Sequence, residues 1–258
     1  MKNALIGFSG FVGSTLLKQT NFDFLYRSTN IADIDGQTFN MVVCAGAPAQ
    51  KWIANKEPEA DLQIIKGLIE HLKTVSCKTF VLISTVDVFK SPIEVDESTA
   101  IDEEGLHAYG LHRRLLEKFV EEHFENSLIV RLPGLVGPGL RKNVIFDFLN
   151  DNNLHMIESR GVFQFYPMVN LWADIRTALD NGVRLLHLTA EPISVEEIAS
   201  KGFGLEFTQQ LNNPLARYDM KSRHAEMFGG QGGYQYSAKE ILLAVRAYAQ
   251  SEPKQPKD

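Results

Sequence analysis

The stretch Ala4-Leu5-Ile6-Gly7-Phe8-Ser9-Gly10-Phe11-Val12-Gly13-Ser14-Thr15-Leu16-Leu17-Lys18-Gln19 opens on a short apolar run, breaks into three glycines and continues with helical character. It reads as strand, glycine turn, helix. Residues without a Cβ at positions 7, 10 and 13 let the backbone turn tightly and let a pyrophosphate approach the helix N-terminus. Gly7, Gly10 and Gly13, with Phe11 and Val12 between them, are therefore candidate dinucleotide-binding residues. The spacing is GxxGxxG rather than GxGxxG, and a plain tight βα turn is the alternative meaning.

The same alternation continues along the chain. Residues 22–26 form a second candidate strand, and Met41-Val42-Val43-Cys44-Ala45 a third that ends in Gly46-Ala47-Pro48. Over residues 59–72, Leu62, Ile65, Leu68, Ile69 and Leu72 recur with helical spacing; Thr79-Phe80-Val81-Leu82-Ile83 follows as a fourth strand. A helix over 106–124 leads to a fifth strand, Ser127-Leu128-Ile129-Val130-Arg131-Leu132, stopped by Pro133-Gly134. Runs that are apolar throughout suit parallel strands covered on both faces. The pattern predicts an α/β, Rossmann-like, doubly wound parallel sheet.

Beyond residue 140 the pattern loosens. Helices are expected at 144–149 and 171–179, a sixth strand at 183–188, a helix capped by Ser194 and running to Lys201, and a last helix at 238–249. The chain thus divides into a dinucleotide-binding part (1–140), a mixed segment with a small C-terminal substrate lobe and returning sheet elements (141–250), and a flexible tail (251–258). The glycines and aromatics over 228–236 suggest either a loop closing over a cleft or a plain connector.

With 258 residues, 44% hydrophobic and 22% charged, the chain can bury a sizeable core, which excludes a peptide hormone, a disulfide knot or a disordered adaptor. A net charge of −6 and a pI near 5.7 provide no global positive field for nucleic acid or an anionic membrane. No apolar run reaches signal-peptide or membrane-spanning length, so neither export nor insertion is expected. Cys44 and Cys77 lie far apart without ligand spacing, which fits a reducing cytoplasm. No metal-site pattern occurs among the seven histidines.

The second strand runs into Tyr26-Arg27-Ser28, where an Arg suits the 2′-phosphate of NADP; Asp33 and Asp35 lie near enough to hold a ribose hydroxyl instead, which keeps NAD as the alternative. Ser84-Thr85 follows the fourth strand, at the edge where α/β sheets bind ligands. Tyr109 and Arg113 are four apart on one helical face.

Five features in order resemble the extended branch of the short-chain dehydrogenase/reductase superfamily, the NAD(P)-dependent epimerases, dehydratases and nucleotide-sugar reductases. They are the glycine turn at 7–13; Ala45-Gly46-Ala47; Ile83-Ser84-Thr85-Val86-Asp87-Val88-Phe89; Ala108-Tyr109-Gly110 with Leu116-Glu117; and Arg131-Leu132-Pro133-Gly134-Leu135-Val136-Gly137-Pro138-Gly139. The resemblance implies that Ala45, Gly46 and Ala47 line the cofactor, that Thr85 orients the substrate oxygen and Tyr109 exchanges its proton, and that the nicotinamide lies near Pro133. It also implies a small-molecule substrate such as a sugar nucleotide, and a homodimer.

Two residues depart from the family pattern. Where the family has a Lys four residues after the Tyr, this chain has Arg113, which carries positive charge and ribose hydrogen bonds but cannot give up a proton. Val86 stands where family dehydratases place an acid, which disfavours dehydration, and Asp87 reads as a loop-capping carboxylate. Two functions follow: an oxidoreductase or epimerase acting on a hydroxyl or keto group, or an NAD(P)-binding sensor with weak or no catalysis. Arg141, Lys142, Arg217, Lys221 and Arg223 are scattered cations that hint at a phosphate-bearing substrate.

Overall fold

The computed structural model describes residues 2–255. Its elements in chain order are β1 (Asn3–Ile6), α1 (Phe11–Gln19), β2 (Phe24–Tyr26), β3 (Thr38–Cys44), α2 (Lys51–Lys56), α3 (Pro58–Leu72), β4 (Ser76–Thr85), β5 (Ile93–Val95), α4 (Ala108–His123), β6 (Ser127–Leu132) and β7 (Gly134–Val136). They continue with α5 (Val144–Asn150), β8 (Val162–Phe163), β9 (Phe165–Pro167), α6 (Leu171–Asp180), β10 (Leu185–His187), β11 (Ile193–Ser194), α7 (Val195–Glu197), β12 (Asp219–Met220) and α8 (Ala238–Ser251).

Two compact units share these elements. The first runs to Lys90 and adds Ser98–Leu132 and Leu171–Leu186; the second holds Ser91–Glu97, Pro133–Asn170 and everything from His187 on. The sequence boundary at 140 therefore falls inside the second unit, while α6 returns to the first.

The first unit is built on a sheet of order β10-β6-β4-β3-β1-β2, and the six strands expected from the sequence are its six strands. The pairs from β2 across to β6 are parallel, with Ile6 between Tyr26 and Cys44 and Thr85 beside Leu132. Val42, Val43, Phe80 and Val81 are fully buried although neighbours along a strand face opposite ways, so both faces are covered. On one face, Ile65, Leu68, Ile69 and Leu72 of α3 and Leu116 and Val120 of α4 pack on Ile6, Val42, Cys44 and Leu82. Pro58 starts α3, where its missing N–H costs nothing. The strand order reverses at β1, between β2 and β3, which opens a crevice at the carboxyl ends of β1 and β3. Gly7 and Ala45 stand at those ends.

The second unit is made of three two-stranded pairs, β7 with β9, β8 with β11 and β5 with β12, together with α5, α7 and α8. Ser194 caps α7 as its sequence predicts, accepting from the Glu197 N–H at 3.1 Å, but the following turns widen into a π-helix over Ile198–Phe203. The glycine-rich 228–235 segment is fastened down: Tyr234 donates to Asp219 at 2.6 Å, and the Gly233 carbonyl accepts from the Ser222 N–H at 2.8 Å. Residues 252–255 are also held, by Gly139 to Glu252, Lys254 to Asp151 and the Gln255 N–H to Asn150, where the sequence suggested a flexible tail. Residues 256–258 of that expected tail lie outside the described residues.

Candidate functional site

The three glycines of the first turn answer to different demands. Gly7 has φ +84°, and a Cβ there would stand 2.2 Å from the Ala45 carbonyl oxygen; a Cβ at Gly13 would stand 2.1 Å from the Gly7 carbonyl oxygen. These two let the strand turn and the helix close against it. Gly10 has φ −75° and ψ 169°, open to any residue, and a Cβ there would approach nothing nearer than the Gly7 carbonyl oxygen at 3.4 Å. Neither the backbone nor the packing asks for glycine at position 10, and as N-cap it leaves the start of α1 without a side-chain cap. An open, uncapped helix start beside a glycine suits a dinucleotide pyrophosphate. Phe11 and Val12 form the first turn, half-buried.

A Gly10→Ala substitution is accordingly expected to cost no more than about 1 kcal/mol, since alanine is a poorer N-cap than glycine, while weakening the binding of any dinucleotide seated on the turn. Gly13→Ala is expected to cost on the order of 3 kcal/mol or more, because the neighbouring atoms are backbone and cannot yield. Thermal melts and calorimetric titration of the two variants separate these roles.

Around the turn, the Ala45 N–H donates to the Ile6 carbonyl at 2.9 Å, Gly46 lies against Ile6, and Ala47 packs on the core. The Gly7 N–H donates to the Tyr26 carbonyl at 2.7 Å and draws the end of β2 beside the turn. Arg27 and Ser28 follow it, both exposed. The Arg27 guanidinium lies 5.8 Å from the centre of the Phe8 ring, and its Nε donates to Thr29 at 3.0 Å. Of the two alternative acids, Asp35 is 2.8 Å from His71, while Asp33 sits exposed on the 3-10 turn Ile31–Ile34.

Thr85 ends β4, and its hydroxyl accepts from the Asp87 N–H at 3.1 Å, capping the turn Val86–Val88. Thr85 is also one of the groups that hold the Tyr109 hydroxyl down. Tyr109 lies in the first turn of α4. Its N–H donates to Asn55 on α2 at 2.9 Å, and the Gly110 N–H donates to the N-cap His107 at 3.0 Å. A Cβ at Gly110 would stand 2.0 Å from the Asp87 carbonyl oxygen, so only glycine lets α4 close on that turn. Burial pushes the Tyr109 hydroxyl above its ordinary value of 10; Arg113, Thr85 and Lys51 pull it back, and Asp87 pushes it further up.

Arg113 is 3% exposed and its guanidinium carbon lies 4.1 Å from the centre of the Tyr109 ring, as the four-residue spacing predicts. Its terminal nitrogens are committed within the protein: Nη1 donates to Asp61 at 2.5 Å and to the Tyr109 carbonyl at 3.4 Å, and Nη2 to the Pro48 carbonyl. Its Nε is buried without a hydrogen-bond partner, one donor that a ribose hydroxyl would satisfy. His112 is buried and sits 2.7 Å from the same Asp61 oxygen. The Asp87 carboxylate is 2.7 Å from Lys51 at the start of α2, an ion pair. Pro133 follows β6 directly and belongs to the second unit.

Sequence reasoning missed Lys51, Asn55, Asp61 and His107. The helix that carries Lys51 and Asn55 spans only six residues, too short for a periodic signal. Among the described residues no cluster of three or more His, Cys, Asp or Glu side chains could hold a metal ion, and no helix is long and apolar enough to cross a membrane.

No known protein-family profile matches the sequence, and no curated protein matches it either. Solved structures match its fold over nearly the whole chain. The dTDP-4-dehydrorhamnose reductase of Clostridium acetobutylicum superposes with a TM-score of 0.71 at 17% identity, covering 97% of this chain and 99% of that one. RMD from Pseudomonas aeruginosa, complexed with NADPH, gives 0.71 at 16% identity over 97% and 99%. The UDP-N-acetylglucosamine 4-epimerase of Methanobrevibacter ruminantium, complexed with UDP-N-acetylmuramic acid, gives 0.74 at 13% identity over 96% and 97%. This chain has the fold of the nucleotide-sugar reductases and epimerases. The α/β, Rossmann-like fold expected from the sequence is thus the fold of these structures.

Proposed function

We propose that the chain is an NAD(P)-dependent reductase or epimerase acting on a hydroxyl or keto group of a sugar nucleotide or a similar small metabolite, with NADP preferred. The observation that carries the reading is Tyr109, buried in the first turn of α4 with the Arg113 guanidinium 4.1 Å over its ring, in the unit that bears the glycine turn with its open Gly10. The glycine turn, Ala45 to Ala47 and the Arg113 Nε would hold the dinucleotide, and a bound nicotinamide supplies or takes up hydride. Thr85 orients the substrate oxygen. Tyr109, neutral at physiological pH because burial disfavours its phenolate, hands that oxygen a proton when a carbonyl is reduced and recovers one in the reverse direction. Val86 is 3% exposed and puts no acid beside Thr85, which supports reduction or epimerisation over dehydration.

NADP is favoured because Arg27 is exposed beside the turn, whereas Asp35 is engaged by His71. Calorimetric titration is expected to show tight NADPH and weak NADH binding, and binding of neither would overturn the reading. Arg27→Ala is expected to lower NADPH affinity about tenfold or more and leave NADH affinity nearly unchanged. Of the scattered cations, Arg217 is exposed and suits a substrate phosphate, whereas Lys221 is already ion-paired with Glu94. Cys44 and Cys77 are both free, and burial pushes each thiol up to about 11; this unreactive pair supports a cytoplasmic enzyme.

A further inference from the structure

Arg113 stands where the family it resembles has a Lys, and its guanidinium is held rather than free. Asp61, in the first turn of α3, accepts from Arg113 Nη1 at 2.5 Å. The carboxylate side chain is 5% exposed and that of the arginine 3%, so this is a buried ion pair. His112 Nδ1 reaches the same Asp61 oxygen at 2.7 Å. Two backbone carbonyls hold the fork as well: Pro48 accepts from Nη2, and Tyr109 from Nη1 at 3.4 Å. Fixed at these points, the guanidinium carbon stands 4.1 Å from the centre of the Tyr109 ring. Of its three nitrogens only Nε, buried with the rest, has no hydrogen-bond partner.

We infer, on the reading that the chain binds a nicotinamide dinucleotide, that Asp61 is a positioning residue of the site: it clamps Arg113 across Tyr109 and leaves Nε as the donor for the nicotinamide ribose. A carboxylate buried in this way needs a charged partner. The fork of an arginine can meet it and still present a third nitrogen elsewhere, whereas the ammonium of a lysine is a single point of charge on a flexible stem. A lysine at position 113 with Asp61 present would be drawn to the carboxylate and away from the ribose. Identity at 113 and charge at 61 are therefore coupled: arginine goes with the acid, and lysine would go with a neutral residue.

Calorimetric titration with NADPH across a double-mutant cycle tests the coupling. Asp61→Asn keeps an acceptor for His112 but removes the charge, and Arg113→Lys supplies the family's residue. Each alone is expected to weaken NADPH binding about tenfold or more. The double variant should recover most of that loss, because its lysine is free to reach the ribose. A pair that served stability alone would show no such rescue of affinity. Arg113→Lys binding NADPH as the wild type does, or losses that add in the double variant, overturn the inference. A second measurement needs no nucleotide: hydrogen exchange at the Arg113 Nε–H, followed by NMR and assigned by the absence of its signal in Arg113→Lys. Exchange should be slow in the wild type and about tenfold faster or more in Asp61→Asn, where the clamp is gone; equal rates overturn the inference. If Asp61→Asn does not fold, the affinity of Arg113→Lys decides alone. If the wild type binds neither NADPH nor NADH, the reductase reading falls, and the exchange rates by themselves decide whether Asp61 positions Arg113.

Discussion

Replacing Glu117 by leucine is expected to destabilise the protein by about 3–5 kcal/mol, the cost of leaving a buried charge without its partner. Glu117 is fully buried on α4 and all its contacts cross to other groups of the same unit. Its Oε1 accepts from the Ser84 hydroxyl at 2.6 Å and from Arg131 Nε at 2.9 Å; its Oε2 accepts from Arg131 Nη2 at 2.8 Å and Arg114 Nη1 at 2.9 Å. Arg131, on β6, is 2% exposed and rests 5.3 Å from the centre of the Phe89 ring, so without Glu117 its charge would stay in the core. Urea denaturation of Glu117→Leu checks the loss. Replacing both partners, Glu117→Leu with Arg131→Met, is expected to recover most of it, because no charge is then stranded.

The pair also carries an acid dependence. Burial alone would push the Glu117 carboxyl up, but Arg131, Ser84 and Arg114 together hold it below the ordinary 4.5. A carboxyl depressed in the folded state binds its proton more weakly there than in the unfolded chain. Its contribution is therefore present above pH 4.5 and lost as the pH falls through and below that value. In the double variant this part of the acid sensitivity should vanish. An acid unfolding curve identical to wild type would show that the pair contributes nothing to it.

Tyr109→Phe is expected to lower turnover by about 10²- to 10⁴-fold while leaving NADPH affinity unchanged, the usual share of a positioned proton donor. The ring is 9% exposed and packed under Arg113, so phenylalanine fits the same space and removes only the hydroxyl. The hydroxyl titrates above 10 in the folded protein, so carbonyl reduction should show no limb from Tyr109 between pH 6 and 9 and should fall only at higher pH. A variant that binds NADPH and turns over like wild type would assign the protein to sensing rather than catalysis.

The local parts of the site were legible. Gly7, Gly10 and Gly13 stand out by their place between an apolar strand and a helix, whereas the roles expected of Thr85, Tyr109 and Arg113 came from the family resemblance. What Arg113 does was not legible. Its partners Asp61 and Pro48 lie 52 and 65 residues away, and neither segment carries a pattern that announces a buried acid or an accepting carbonyl. Asp87 was visible but its pairing with Lys51 was not, because Lys51 is 36 residues distant on a helix of a turn and a half.

By itself the sequence determined the six parallel strands, the helices that cover them and the glycine turn. These follow from hydrophobic period, turn chemistry and the absence of Cβ atoms, all of which act over a few residues. Only the tertiary structure decided that the two units share the chain discontinuously, that His112 and Arg113 share one buried carboxylate, and that a lysine from α2 pairs with Asp87. Charges are paired by proximity in space, and proximity between residues dozens of positions apart is set when the sheet and helices pack, not by any local pattern.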